Sequence, residues 1–321
     1  MKFIVPIQNL VIDEISKLGD VVLIPPLRDT NLVFEESVFN TIEMAEITKI
    51  LGICNEDYMN TYCNYTTALF EYPFSDEEYH HNKPIQDFDF LDKLCYTVDR
   101  ALDYLRLLYC QIGKMDTLPG IPGILDGYRF GLVINLSENT YRHILGNVYN
   151  IYVAPGIGLY SDPITINDIN SSFYNQIFNK RTDEIYNNCR VALARINEAM
   201  YMNNINTSFI YLMSTLEMLA SNDYLQFKKV KTSIISFVAN NKVEYHEMCG
   251  KLRDISENIR TEIVHNGKNL YDLFASSDQV KSLLWYLTGV IVNYCESVIN
   301  TGITNFTELE IEKERRIHLF S

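Results

Sequence analysis

From residue 164 to residue 303, apolar side chains recur at the three-to-four spacing of helices, segment after segment, with short polar connections between them. A chain patterned this way can bury those stripes only against one another, so this stretch is constrained to an up-and-down helical bundle. The clearest stripe runs over 277–300, with apolar residues at 280, 283, 284, 287, 291, 294, 295 and 298. Further helices are expected over 166–180, 182–202, 207–221, 226–240 and 242–265. The charged tail TELEIEKERRIHLF reads as a short strand or a frayed end.

The pattern before residue 160 is different. MKFIVPI, DVVLIPP and NLVFE are short β-favouring runs broken by Pro, Gly and Asp, and Tyr62–Phe74 reads as another strand. One helix is expected over Asp87–Gly113, where Leu91, Leu94, Cys95, Val98, Leu102, Leu105 and Leu108 share a face. TLPGIPGILDG is turn-rich, and strands are expected at Phe130–Leu136 and Asn147–Ala154, paired as neighbours. Residues 154–163, APGIGLYSDP, are the best boundary. The fold class is therefore α+β in two domains: a strand-rich mixed domain over 1–160, then an all-α helical bundle over 161–321.

Charge divides the halves as well. Residues 1–160 hold 11 Lys and Arg against 22 Asp and Glu, a balance of −11, whereas residues 161–321 hold 16 against 19. An acidic N-terminal half is a poor surface for phosphates, which need clustered cations. Between Lys228 and Lys268 the balance reverses, with eight basic residues against five acidic. That local excess fits an ordinary solvated helix face as well as it fits an anion-binding surface. Seven widely spaced cysteines without a C-x-x-C point to reduced thiols packed as small apolar residues. The longest near-apolar run, Leu283–Val292, falls short of the roughly 18 residues of a membrane span, and Pro6 and Asn9 interrupt any leader-like stretch. A cytoplasmic protein without a membrane partner is expected.

Most catalytic classes find no foothold. His80-His81 is the only close histidine pair, and adjacent residues rarely face one metal, so an exposed polar loop is the expectation and no metal or other cofactor is expected. Gly156-Ile157-Gly158 lacks the third glycine of a dinucleotide fingerprint, and neither a phosphate-binding P-loop nor a serine nucleophile elbow occurs. Nothing local pairs a cysteine nucleophile with a histidine.

The segment that stands out is Leu252–Lys268, LRDISENIRTEIVHNGK. Its helix is expected to start at Asn241 as N-cap with Glu244 three residues on, and to bend at Gly250. Met248, Leu252, Ile255, Ile259 and Ile263 form its buried stripe, and Asn266-Gly267 stops it. Arg260 and His265 lie off that stripe, about 140° apart on an ideal helix. By chemistry alone, His265 can be a C-terminal capping histidine favoured by the helix dipole, and Arg260 a surface residue paired with Glu257 or Glu262.

Arg260-Thr-Glu-Ile-Val-His265, followed by Asn-Gly, resembles the Arg-x4–6-His motif of the HEPN superfamily, closest to the Apea-like HEPN domains of bacterial defence proteins. The likeness covers roughly residues 165–300: an upstream helix with Leu216-Glu217, the motif helix, and a long apolar helix after it. Thr261 stands where the family often carries Asn, Asp or His. The resemblance implies metal-independent endoribonuclease activity in phage defence, abortive infection or a toxin-like system. Arg260 and His265 would be catalytic, and Asn266, Lys268, Glu217 and Thr261 supporting or RNA-contacting.

It implies RNA as substrate and a homodimer through the bundle, since one histidine per chain cannot readily serve as both acid and base. A protein or ligand trigger would act on the N-terminal domain. Two other readings compete: a non-catalytic helical module binding RNA or protein, and an unrelated enzyme centred near His80, His81 and His143 in the N-terminal half.

Overall fold

A computed structural model describes residues 1–26, 32, 34, 38–54, 64–80, 87–114, 117–125, 127–148, 159–160 and 181–320. The chain divides into two compact units, Met1–Cys110 with Lys114–Phe178, and Gln111–Gly113 with Asn179–Ser321. An antiparallel sheet in the first unit and a helical second unit give the two-part α+β layout. The helix expected at 166–180 and most of the boundary segment 154–163 lie outside the described residues.

In the first unit the strands are β1 (Lys2–Ile7), β2 (Leu10–Val11), β3 (Ser16–Leu18), β4 (Val21–Ile24), β5 (Thr66–Glu71), β6 (Ile124–Leu125), β7 (Tyr128–Asn135), β8 (Thr140–Val148) and β9 (Leu159–Tyr160). The helices are α1 (Thr41–Ile53), α2 (Asp76–His80) and α3 (Asp87–Tyr109). The main sheet runs β3-β4-β5-β1-β7-β6, with β8 also on β7, and every pair in it is antiparallel. A separate parallel pair joins β2 to β9.

Alternate residues of β1 show why its run is almost continuously apolar. Ile4 joins Ile47 and Ile50 of α1 in one buried cluster with Leu69, Leu132 and Ile134. Phe3, pointing the other way, packs its ring against Phe70, Phe74 and Phe90, the last from α3. A strand covered by helices on both faces has no polar side to display, so alternation disappears. Two sequence expectations shift here. The strand expected at Asn147–Ala154 begins at Thr140, and residues 149–154 lie outside the described part. Helix α3 also carries a buried charge cluster among its leucines: Arg106 meets Asp99 at 2.6 Å and Asp103 at 3.3 Å, and Arg100 meets the same two carboxylates.

The turn-rich segment after α3 is stitched to the end of β1. Gly120 N–H donates to the Gln8 carbonyl at 2.6 Å and Gly123 N–H to that of Pro6 at 2.8 Å. Gly123 has a φ of +78°, and a Cβ there would sit 2.4 Å from the Cys95 sulfur. Both backbone freedom and space thus require glycine.

The second unit comprises α4 (Glu184–Met200), α5 (Ile205–Ala220), α6 (Phe227–Val238), α7 (Lys242–Asp254), a π turn (Ile255–Arg260), α8 (Thr261–Val264), α9 (Leu270–Leu273), α10 (Ser277–Thr301) and α11 (Phe306–Phe320). Asp183, Asn204, Asn241 and Ser276 cap the starts of α4, α5, α7 and α10 with their side chains. Helix α6 is the hub: α5, α7, α10 and α11 all pack on it. Helix α10 is long and apolar enough to cross a membrane by length and composition, and half of its apolar window is buried inside this unit.

The tail is a correction. It is a helix, α11, neither strand nor frayed end. Leu309 is buried, the Phe320 ring stacks on Tyr245 at 4.9 Å, and the Arg316 guanidinium lies over Phe237 at 4.7 Å. The aliphatic stems of its charged residues do the covering that leucines would do elsewhere. Glu312 accepts from Arg315 and Arg316, and the Arg315 hydrogen bond above all brings its carboxyl down to about 2.

Two outcomes follow. Gly123→Ala destabilises the protein by about 1–3 kcal/mol, read from urea unfolding, as overpacking does. A depressed carboxylate stabilises above its ordinary value of 4.5, and that stabilisation disappears as pH falls toward 2. The gap in urea midpoint between wild type and Glu312→Gln is therefore present near neutrality and closes over that acidic window.

Candidate functional site

The motif helix begins at the cap its sequence requires, Asn241, with only the reciprocal Glu244 contact set back by one residue. The Asn241 side chain accepts from Glu244 N–H at 3.0 Å, while the Glu244 carboxylate accepts from the backbone and side chain of Asn240. The helix stays regular through Gly250. Its irregularity is the π turn at Ile255–Arg260, where the Thr261 hydroxyl donates five residues back to the Ser256 carbonyl at 3.3 Å.

Burial explains the turn's position. On an uninterrupted α-helix Ile263 would lie about 80° around from Ile255. One extra residue in the winding removes about 100° of that offset, and Leu252, Ile255 and Ile263 are all buried together. Met248 and Ile259, expected in the same stripe, are only partly buried.

Arg260 leaves this turn toward α5. Its Nη1 meets Glu217 Oε1 at 3.0 Å, with about a third of each side chain exposed. Glu217, which could orient Arg260 or stand solvated, is ion-paired with Arg260 and still about a third exposed. His265 ends α8; its N–H donates to the Thr261 carbonyl at 2.9 Å and its side chain is exposed. Among the described residues no side chain hydrogen-bonds the His265 imidazole, and no hydrogen bond joins it to Arg260.

Asn266 and Lys268 converge on Glu262: Asn266 Nδ2 donates at 3.0 Å and Lys268 Nζ approaches at 2.6 Å. The Lys268 hydrogen bond is the main reason the Glu262 carboxyl lies below its usual range. Gly267 takes a φ of +66°, which lets the chain turn and Lys268 N–H reach back to the Glu262 carbonyl.

A residue absent from the sequence reading completes the arrangement. Asn206, at the start of α5, donates to the Lys268 carbonyl at 3.2 Å and accepts from Leu270 N–H at 3.0 Å. Helix α5 therefore grips the motif segment at both ends, Glu217 on Arg260 and Asn206 on the turn after His265. The sequence carries no signal of the Asn206 contacts, which span more than 60 residues.

The other candidates remain apart. His80 Nε2 bonds Glu138 at 3.0 Å, and His143 sits on β8 with its ring edge against Tyr141; His81 lies outside the described residues. Among the described residues no group of three or more His, Cys, Asp or Glu is placed to hold a metal ion. Cys54, Cys95, Cys110, Cys189 and Cys295 are buried free thiols, and burial pushes Cys95 up to about 12 and Cys110 up to about 11, far from a thiolate nucleophile.

The two grips are separable by mutation. Asn206→Ala removes two hydrogen bonds to the turn and lowers stability by about 1–2 kcal/mol in urea unfolding. Glu217→Gln, which frees a partly exposed guanidinium, changes it by less than about 1 kcal/mol. No protein-family model, curated protein or solved structure matches the chain.

Proposed function

We propose that the helical unit is a metal-independent endoribonuclease of the HEPN type, an effector of phage defence, abortive infection or a toxin-like system. The observation that carries this reading is one helix end bearing a guanidinium paired with a neighbouring carboxylate and, five residues on, an exposed imidazole that no side chain engages among the described residues. An arginine held in place presents a planar fork to phosphate oxygens, and an imidazole can take or give a proton.

In the reaction, a base removes the ribose 2′-hydroxyl proton and O2′ bonds to phosphorus. The phosphorus–O5′ bond breaks as an acid protonates the leaving oxygen. The products are a 2′,3′-cyclic phosphate and a 5′-hydroxyl. His265 fills one of these roles, and His265 of a second copy in a two-fold dimer fills the other. Half-exposed Val264, Tyr271 and Trp285 on the motif and flanking helices support such a contact. The acidic N-terminal unit is assigned a regulatory, trigger-sensing part rather than RNA contact.

A second reading, a non-catalytic module binding RNA or protein, draws on two observations. Glu217 already neutralises Arg260, and the Thr261 hydroxyl is turned back into its own helix.

Incubation with labelled RNA in EDTA separates them. Cleavage that persists in EDTA, leaves cyclic phosphate ends and spares DNA supports catalysis. His265→Ala lowers the rate by about 10²–10⁴-fold. Arg260→Lys is poorly tolerated because lysine keeps the charge but lacks the fork. Circular dichroism stays unchanged in both variants. Cleavage that depends on magnesium, or a fully active His265→Ala protein, sinks the proposal.

A further inference from the structure

The cations of the helical unit are unevenly satisfied. Arg181, Arg260, Lys268, Lys313, Arg315 and Arg316 each meet a carboxylate. Arg190, Lys228, Lys229, Lys231, Lys251 and Arg253 have neither an ion pair nor a side-chain hydrogen bond among the described residues. All of these but Arg190 sit on α6 and α7.

The hairpin brings them level. Helices α6 and α7 pack on each other and are joined through residues 239–241. Lys231 and Cys249 lie equally far from that turn, and the Lys231 ammonium is close enough to act on the Cys249 thiol. Lys228 and Lys229 are therefore level with Lys251 and Arg253, at the open end of the hairpin. Lys251 forgoes Glu247, one turn back, and lies 3.6 Å over the Tyr286 ring. Three lysines in the first turns of α6 oppose its dipole, and no acidic residue there offsets them.

Such a concentration of unpaired charge is a standing electrostatic cost that a polyanion would relieve. Just before it, Tyr224 is 91% exposed in the segment leading into α6. A bare ring leading into a run of unpaired cations is the combination that holds single-stranded nucleic acid, bases on the ring and phosphates on the cations. Arg260 follows Arg253 by seven residues on the same rod, about 10 Å along the helix axis.

We infer that the open end of the α6–α7 hairpin, through Lys228, Lys229, Lys231, Lys251, Arg253 and Tyr224, is a sequence-independent track for a single-stranded RNA backbone that leads into the Arg260–His265 site. The inference rests on reading the unit as an RNA-handling module and adds to it the surface that binds the strand.

The test uses the full chain carrying His265→Ala, so that RNA stays intact, and a short fluorescently labelled single-stranded RNA followed by anisotropy as KCl is raised. Each neutralised phosphate contributes about 0.7 to the slope of log affinity against log salt. Lys228→Ala/Lys229→Ala/Arg253→Ala should lower that slope by about 2. Arg190→Ala, a free cation outside the hairpin, should leave it unchanged. Tyr224→Ala should weaken binding about tenfold at constant slope.

All of these residues are on the surface apart from the core stripes, and circular dichroism on each variant checks the fold. An unchanged slope in the triple variant overturns the track, as does an equal fall with Arg190→Ala or the absence of RNA binding at low salt. Equally tight, patch-dependent binding of labelled polyglutamate overturns it in favour of an acidic protein partner. Patch-dependent binding with no cleavage by wild type leaves the track standing and removes the nuclease reading. Cleavage by wild type together with full binding by the triple variant does the reverse.

Discussion

Helix α5 is the element on which the site depends. Its apolar face, Phe209, Leu212, Met213 and Leu216, is fully buried, so the helix can neither slide nor rotate without opening the core. Asn206 and Glu217 project from the flanks of that fixed rod and hold the segment from Arg260 to Leu270. The site residues lie on a surface, where side chains ordinarily wander. Here two of their anchor points are set by the packing of a neighbouring core helix. Position at the surface is inherited from burial beneath it.

The first unit solves a different problem with the same means. At β1 its sheet is covered on both faces, one by α1 and one by α3, and α3 must also bury Arg106. A guanidinium that is 1% exposed is tolerable only because two aspartates one and two turns back supply its counter-charge. Burial tends to protonate Asp99, yet Arg106 and Arg100 outweigh it and hold its carboxyl below the usual range. The quartet is neutral as a whole, which is what lets it lie under cover.

The bundle was legible because each helix shows its buried stripe locally. Helices α4, α5, α6 and α10 lie within a few residues of where periodicity and caps place them. The tail misleads because its covering surface comes from Arg316 and Phe320, types that score as polar or as isolated. Helix α1 leaves little trace: only Ile47 and Ile50 are buried, and Ile42 is 81% exposed. Strand β8, TYRHILGNV, mixes polar and apolar residues because one of its faces is open. In the site, the residue types of Arg260 and His265 were visible, along with Glu217 as a flank residue. Asn206 was not, since its partners are backbone groups of a distant turn, and backbone groups carry no sequence.

The π turn makes the length of the motif segment matter as much as its composition. Losing a single residue between Ile255 and Arg260 would let the winding revert to a plain α-helix, and because the turn takes up one extra residue, everything after it would keep its direction about the helix axis. Gaining a residue there would instead rotate all that follows by about 100°. Ile263 would leave the core, and Arg260 would swing away from Glu217. The segment should thus accept many substitutions at its exposed positions and one deletion within the turn but no insertion, a tolerance profile set by angular phase rather than by chemistry.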